Sequence, residues 1–272
     1  METEFWLDKW DAPKRGWSQQ QVNSRLIKHW PSLGFAAGDP VLIPLCGDSV
    51  DIDWLVASGF SVIGSELSEK GLTSWFDRHA LEWTAENAEV TNSDSISGSA
   101  LGSALGSTPG SKLRIFKPEV TSLKNYVNPA ASERGMAAID ANTQQQLPMF
   151  YCGDFFSLSK ELLPAAPIAV YDRAALIALP PPMRARYAEK LGELLPTGSK
   201  ILLITLIYDP AQMNGPPFSV TNPEVESLYS KLFDIEKIAD SHGPDIVGNL
   251  ADRGLQDAAE SVFVLTRNSV AG

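Results

Sequence analysis

The sequence predicts an α/β protein: a doubly wound, seven-stranded, mostly parallel sheet, with residues 1–272 forming a single domain. Three observations predict it. Short apolar runs bounded by turn residues alternate with segments of helical period through most of the chain. The run Pro40-Val41-Leu42-Ile43-Pro44-Leu45 turns at Cys46-Gly47, and a second run, Ser61-Val62-Ile63-Gly64, delivers Glu66 about 20 positions on. An apolar content of 44% over 272 residues is ample for one large core.

Taken in order, Ser18-Gln19-Gln20-Gln21 reads as a capping box, and Val22, Leu26 and Trp30 recur at helical spacing before Pro31, predicting an amphipathic helix over 19–30. The first strand and its glycine turn follow. A helix over 49–58 points Ile52, Leu55 and Val56 inward and stops at Gly59, whose missing Cβ permits a left-handed cap. Ser68 caps a third helix with Leu72, Trp75, Phe76 and His79 on one face. Residues 85–148 lose the periodic pattern, and Gly102-Ser103-Ala104-Leu105-Gly106-Ser107 has linker composition. This stretch is read as a long flexible surface insertion, with a possible short strand at 113–116, in preference to a substrate lid. Pattern resumes with strands over 149–154, 168–172 and 200–208, a helix opened by Pro182, a helix over 224–232, and strands over 235–238 and 262–266.

Composition narrows the function. A formal charge of −11 and a pI near 4.8 disfavour nucleic-acid binding, which needs a basic face against phosphates. Cys46 and Cys152 have no metal-ligand spacing around them, so neither zinc nor a disulfide is expected. With no leader-like N-terminus and no apolar run of membrane length, a cytoplasmic protein without membrane attachment is expected.

In open α/β sheets ligands bind beyond the carboxyl ends of the strands, which selects Leu45, Cys46 and Gly47, then Glu66, Asp154-Phe155, Asp172-Arg173 and Tyr208-Asp209. Glu66 could hold the two hydroxyls of a ribose, or be merely solvated at the strand end of an ordinary β-α-β unit. A single Gly47 followed by Asp48 replaces the glycine-rich turn of a dinucleotide site, and a carboxylate there opposes a phosphate. A nucleoside cofactor without phosphate fits, and S-adenosylmethionine is one. Asp154 could meet an adenine amino group with Phe155 against its ring, or simply cap a turn. Asp172-Arg173 could orient a substrate, or be a surface ion pair. Trp6, Trp10 and Trp17 could attract a sulfonium cation, although pattern alone favours a hydrophobic clasp.

These residues, in this order, resemble the bacterial thiopurine S-methyltransferases: Phe5-Trp6-Leu7-Asp8-Lys9-Trp10, Pro44-Leu45-Cys46-Gly47, Gly64-Ser65-Glu66-Leu67-Ser68, Tyr171-Asp172-Arg173-Ala174-Ala175-Leu176, and Tyr208-Asp209-Pro210 with Gly215-Pro216-Pro217-Phe218. The resemblance covers nearly everything outside 85–148, where the chain is longer than the family's equivalent. It implies a Rossmann-like class I methyltransferase sheet, S-adenosylmethionine as methyl donor, and a monomer. It implies cofactor contacts at Trp10, Leu45, Glu66 and Arg173, with neighbouring contributions from Trp6, Gly47 and the Asp154-Phe155 loop, and a substrate contact at Trp17. The N-terminal segment, residues 1–35, then forms part of the site. Ser18, Asp48 and Ser65 depart from the family pattern, where histidine, lysine and an aliphatic residue are usual.

The implied reaction is an in-line displacement by a thiolate or selenolate of a small aromatic or heterocyclic substrate. Such a nucleophile is already largely anionic, so alignment and exclusion of water do most of the work. Arg173 would attract the nucleophile, and Asp172 would hold Arg173 or accept a residual proton. Methylation of inorganic selenium, tellurium, halide or thiocyanate, and a non-catalytic nucleoside-binding module, are the alternatives.

Overall fold

The computed structural model describes residues 3–11, 19–88, 113–119 and 147–269. Among the described residues nine strands form one sheet: β1 (Pro40–Ile43), β2 (Ser61–Glu66), β3 (Trp83–Asn87), β4 (Arg114–Pro118), β5 (Met149–Cys152), β6 (Ala169–Asp172), β7 (Lys200–Ile207), β8 (Phe233–His242) and β9 (Ala259–Arg267). Their order is β3-β4-β5-β2-β1-β6-β7-β9-β8. The central strands β5, β2, β1, β6 and β7 pair in parallel, and the outer strands on both sides pair antiparallel.

The helices are α1 (Thr3–Asp11), α2 (Ser24–His29), α3 (Val50–Ala57), α4 (Glu69–Arg78), α5 (Ala175–Ala178), α6 (Pro181–Leu194), α7 (Asn222–Tyr229) and α8 (Pro244–Val247). Strand alternation divides the core in two. Val41, Ile43, Val62, Tyr171 and Leu202 face α2, α3 and α4, whereas Leu42, Ile63, Val170, Ile201 and Leu203 face α6 and α7. Both faces of the parallel strands are covered, which is why these strands read as unbroken apolar runs. Each fully buried Val, Leu or Phe contributes roughly 1.5–3 kcal/mol.

One expectation needs correction. The helix expected over 19–30 begins only at Ser24, because the Asn23 side chain accepts from the Arg25 N–H and acts as the N-cap. The Asn23 backbone N–H is itself given to Asp51 Oδ1 at 2.7 Å, which ties the start of α2 to α3. The seven expected strands are present as β5-β2-β1-β6-β7-β9-β8, and among the described residues β3 and β4 add two more at one edge. Residues within the stretch assigned to an insertion form most of the β3–β4 pair, which extends the edge beside β5. Trp83 lies 5.0 Å from Phe116 across that pair, and Arg114 bonds Glu69 of α4 at 2.6 Å. The tandem Gly/Ser stretch at 102–107 lies outside the described residues. The other two early helices start on schedule at their serine caps, Ser49 bonding Asp51 N and Ser68 bonding Gly71 N. No helix among the described residues is long and apolar enough to cross a membrane.

Gly64 shows how tightly β2 and β5 meet under α4. A Cβ there would lie 2.5 Å from Phe150 Cδ1 and 2.8 Å from Cys46 Sγ, both inside van der Waals contact. Gly64→Ala should lower the unfolding free energy by about 1–3 kcal/mol, the usual cost of overpacking. Chemical denaturation measures it, and an unchanged midpoint would mean that Phe150 moves aside freely.

Candidate active site

Between β1 and β6 the strand order reverses direction, which opens a crevice at the carboxyl ends of these strands. Glu66 ends β2 on that rim and is only 6% exposed. Its Oε2 accepts the Gly47 N–H at 3.0 Å and its Oε1 the Ser68 N–H at 2.9 Å. Burial pushes the carboxyl above its ordinary value, opposed by the Ser68, Gly47 and Leu67 N–H groups and the Trp10 side chain.

The turn after β1 is wound unusually. Leu45 has φ +49° and Gly47 φ +53°, two left-handed residues within three positions. Trp10, 3% exposed, packs on this turn and on the first turn of α4. A Cβ at Gly47 would come within 3.0 Å of the indole, and one at Gly71 within 2.8 Å. Both glycines therefore make room for one tryptophan. Asp11 at the end of α1 bonds Lys70 of α4 at 2.7 Å, a second tie for the N-terminal helix. The aromatic segment is thus helical and docked at the site rim. Trp6 is half-buried and meets Phe5 edge to face at 5.6 Å.

At the end of β6 the expected Asp172-Arg173 pair does not form a unit. Successive strand residues point to opposite faces, and Asp172 turns toward α6. It accepts from Tyr187 Oη at 2.7 Å and from the Ala175 and Leu176 N–H groups at 3.1 and 3.2 Å, opening α5. Burial raises its pKa from 3.8 to about 6, against those three donors. The reading in which Asp172 holds Arg173 is corrected accordingly. Arg173, half-buried, acts electrostatically on Asp51 and Tyr171 instead. Asp51, in the first turn of α3, is the hub: it accepts the Asn23 N–H and the Tyr171 hydroxyl, the latter at 2.9 Å. Burial raises its pKa, opposed by the Asn23 bond and by the charge on Arg173.

Sequence reasoning missed Asp51. The signal was present: two acids, Asp51 and Asp53, alternate with Ile52 and Trp54 in a helix buried along most of its length. A carboxylate in such a place needs partners. Of the remaining candidates, Asp154 caps a short 3₁₀ turn by accepting from Phe156 N at 3.1 Å. Phe155 is 5% exposed and packs in the core against Tyr187, with centroids 5.4 Å apart. Trp17 lies outside the described residues.

The donor set suits S-adenosylmethionine. An acceptor-only carboxylate faces a diol well, and Gly47 spends its N–H on Glu66 instead of on a phosphate. Comparison with known proteins agrees. The sequence model of the family described as thiopurine S-methyltransferase matches residues 1–101 and 121–268. The chain belongs to the thiopurine S-methyltransferase family. It is an S-adenosylmethionine-dependent thiol methyltransferase. It is 34% identical to a thiopurine S-methyltransferase of Pseudomonas fluorescens over the full length of both chains. It is 35% identical to one of Azotobacter vinelandii, covering 98% of this chain and 100% of that one. A probable thiopurine S-methyltransferase of Yarrowia lipolytica is 37% identical over 84% of each chain. Among solved structures, a SAM-dependent methyltransferase of Methanosarcina mazei superposes with a TM-score of 0.53 at 12% identity, covering 92% of this chain and 100% of that one. TehB of Haemophilus influenzae gives 0.52 at 7% identity, covering 92% and 64%. These structures share the fold. The family model passes over 102–120, which takes in the Gly/Ser stretch at 102–107 and β4.

The position of Asp172 has a pH signature. Its folded pKa of about 6 lies above the ordinary 3.8, so folding takes up a proton between those values. The stabilisation is complete below that window and lost as pH rises through it. Asp172→Asn cannot ionise. The difference in unfolding free energy between wild type and variant should therefore slope from about pH 4 to about pH 6 and flatten above. Asp53, also raised to about 6, is present in both proteins and cancels. A difference independent of pH would show that Asp172 is ionised throughout.

Proposed function

We propose that Glu66, Trp10, Leu45 and Gly47 bind the adenosyl part of S-adenosylmethionine. Arg173 then directs the sulfur or selenium of a small aromatic or heterocyclic thiol, such as a thiopurine, toward its methyl group. The observation that carries this reading is the Glu66 carboxylate, held at the end of β2 by the Gly47 and Ser68 N–H groups beside Trp10. When bound, S-adenosylmethionine supplies an electrophilic methyl carbon on a positively charged sulfur.

The chain's own contribution is alignment. Glu66 accepts from the ribose hydroxyls and sets the register of the donor. Trp6 and Trp10 on α1 wall off water, and the half-buried Asp154 carboxylate remains within the strand-end rim for an adenine amino group. Arg173 attracts an anionic acceptor, with Asp51 fixing its orientation. This reading gives Asp172 no part as base, because its oxygens accept from Tyr187 and from the Ala175 and Leu176 N–H groups. A thiolate needs no strong base, and proximity carries most of the rate. The reading includes a cytoplasmic monomer that binds no nucleic acid, supported by the charge of −11 and by two free, buried cysteines.

Glu66→Gln should weaken S-adenosylmethionine binding about ten- to a hundredfold by calorimetry, the weight of charge-assisted hydrogen bonds. Equal affinity would end the reading. Arg173→Met should lower turnover of a thiopurine about tenfold or more while donor affinity changes less. Methyl transfer assayed over thiopurines, simple thiols, selenite, tellurite and iodide ranks the acceptors. Faster turnover of the inorganic species would reassign the substrate.

A further inference from the structure

We propose that Arg78 is a positioning residue of the methyl-donor site: its guanidinium fixes the turn that carries Gly47, and through Gly47 the orientation of Glu66. The inference rests on the reading of Glu66 as the sugar-binding acid. Arg78 closes α4 and reaches back across α3. Its Nη1 donates to the Asp48 carbonyl at 2.6 Å, and its Nη2 lies 3.5 Å from the Ser49 carbonyl and 3.1 Å from Asp53 Oδ2. Asp48 and Ser49 directly follow Gly47, whose N–H bonds Glu66. One planar fork therefore joins α4 to the donor turn and to α3.

The turn needs such a tie. Left-handed backbone at Leu45 and Gly47 persists only where surrounding contacts determine it. The Cys46 N–H bond to Ser65 O at 2.9 Å and the Ser49 N–H bond to Cys46 O at 3.3 Å hold the turn to β2 and to itself. Arg78 adds the hold from α4. The anchor for Arg78 is itself rigid: Asp53 is buried, and its Oδ1 accepts the Trp75 indole N–H at 2.9 Å and faces His79 Nε2 at 3.0 Å. His79 lies 3.0 Å from the Trp75 carbonyl through Nδ1 and stacks on the Trp75 ring. A lysine could not serve here, since one ammonium at the end of a flexible stem cannot span two carbonyls and a carboxylate in fixed directions. The Arg78 side chain is 32% exposed, so removing its head opens no cavity in the core.

Calorimetry with S-adenosylmethionine and S-adenosylhomocysteine, steady-state kinetics with a thiopurine, and thermal unfolding test the idea on wild type, Arg78→Gln, Arg78→Lys, Glu66→Gln and the Arg78→Gln/Glu66→Gln double variant. Arg78→Gln should weaken binding of both adenosyl compounds about tenfold, and Arg78→Lys should fail to restore it, with acceptor KM and Tm close to wild type. In the Glu66→Gln background the further loss from Arg78→Gln should be less than about threefold, because the clamp acts through that carboxylate. Wild-type donor affinity in either single variant overturns the proposal. So does full additivity in the double variant, or a donor loss matched by losses in acceptor KM and Tm. Normal donor binding by Glu66→Gln would remove the functional reading and this proposal with it. Loss in Glu66→Gln with none in Arg78→Gln removes the proposal alone.

Discussion

The site depends on one buried carboxylate and the two backbone donors that hold it. Glu66 is taken out of water at the end of β2, a costly position for a charge unless hydrogen bonds replace its hydration. Gly47, from the turn after β1, and Ser68, at the cap of α4, supply them. Three elements therefore converge on one side chain. Ser68 serves twice, its N–H meeting Glu66 and its hydroxyl capping α4. The same convergence explains the two glycines: Trp10 lies against Gly47, Gly71 and Glu66 together, so a side chain at either glycine would lift α1 from the rim.

The period-two alternation of a strand then distributes the chemistry. Tyr171, Asp172 and Arg173 are consecutive, yet they serve two faces. Tyr171 joins Asp51 in the layer under α3, and Asp172 joins Tyr187 in the layer under α6. An adjacent Asp-Arg pair in sequence looks like an ion pair, but at the end of an extended strand adjacency is what separates two side chains. The electrostatic partner of Arg173 comes instead from a residue more than a hundred positions earlier, through the packing of α3 on β1 and β6.

This sets what could be read from sequence. The parallel strands were legible because burial on both faces forces unbroken apolar runs, as in β1 and β7. Glu66 was legible because strand, turn, helix and strand fix its distance from Gly47. The edge pair β3–β4 was mostly missed, because Trp83-Thr84-Ala85-Glu86-Asn87 is a half-exposed strand carrying polar side chains, and its partner lies far along the chain. The start of α2 was misplaced because Ser18 and Asn23 are both good caps, and only the tertiary bond from Asn23 N to Asp51 chooses between them. Phe155 was placed in the site by position, while its ring follows the deeper demand of the core around Tyr187.

Charge completes the physical account. Glu66, Asp48 and Asp51 gather negative charge around the turn after β1, and Arg78 and Arg173 sit at its flanks. On the proposed reading, those acids attract a cationic donor and Arg173 attracts an anionic acceptor, so opposite charges are drawn to opposite walls before they meet. Transfer cancels both charges. The carboxylates then face a neutral thioether and Arg173 a neutral methylated product, and each wall loses the Coulombic part of its hold at once. A site of this kind binds reactants more tightly than products without any moving base or metal, because the reaction itself removes the charges that its fixed groups recognise.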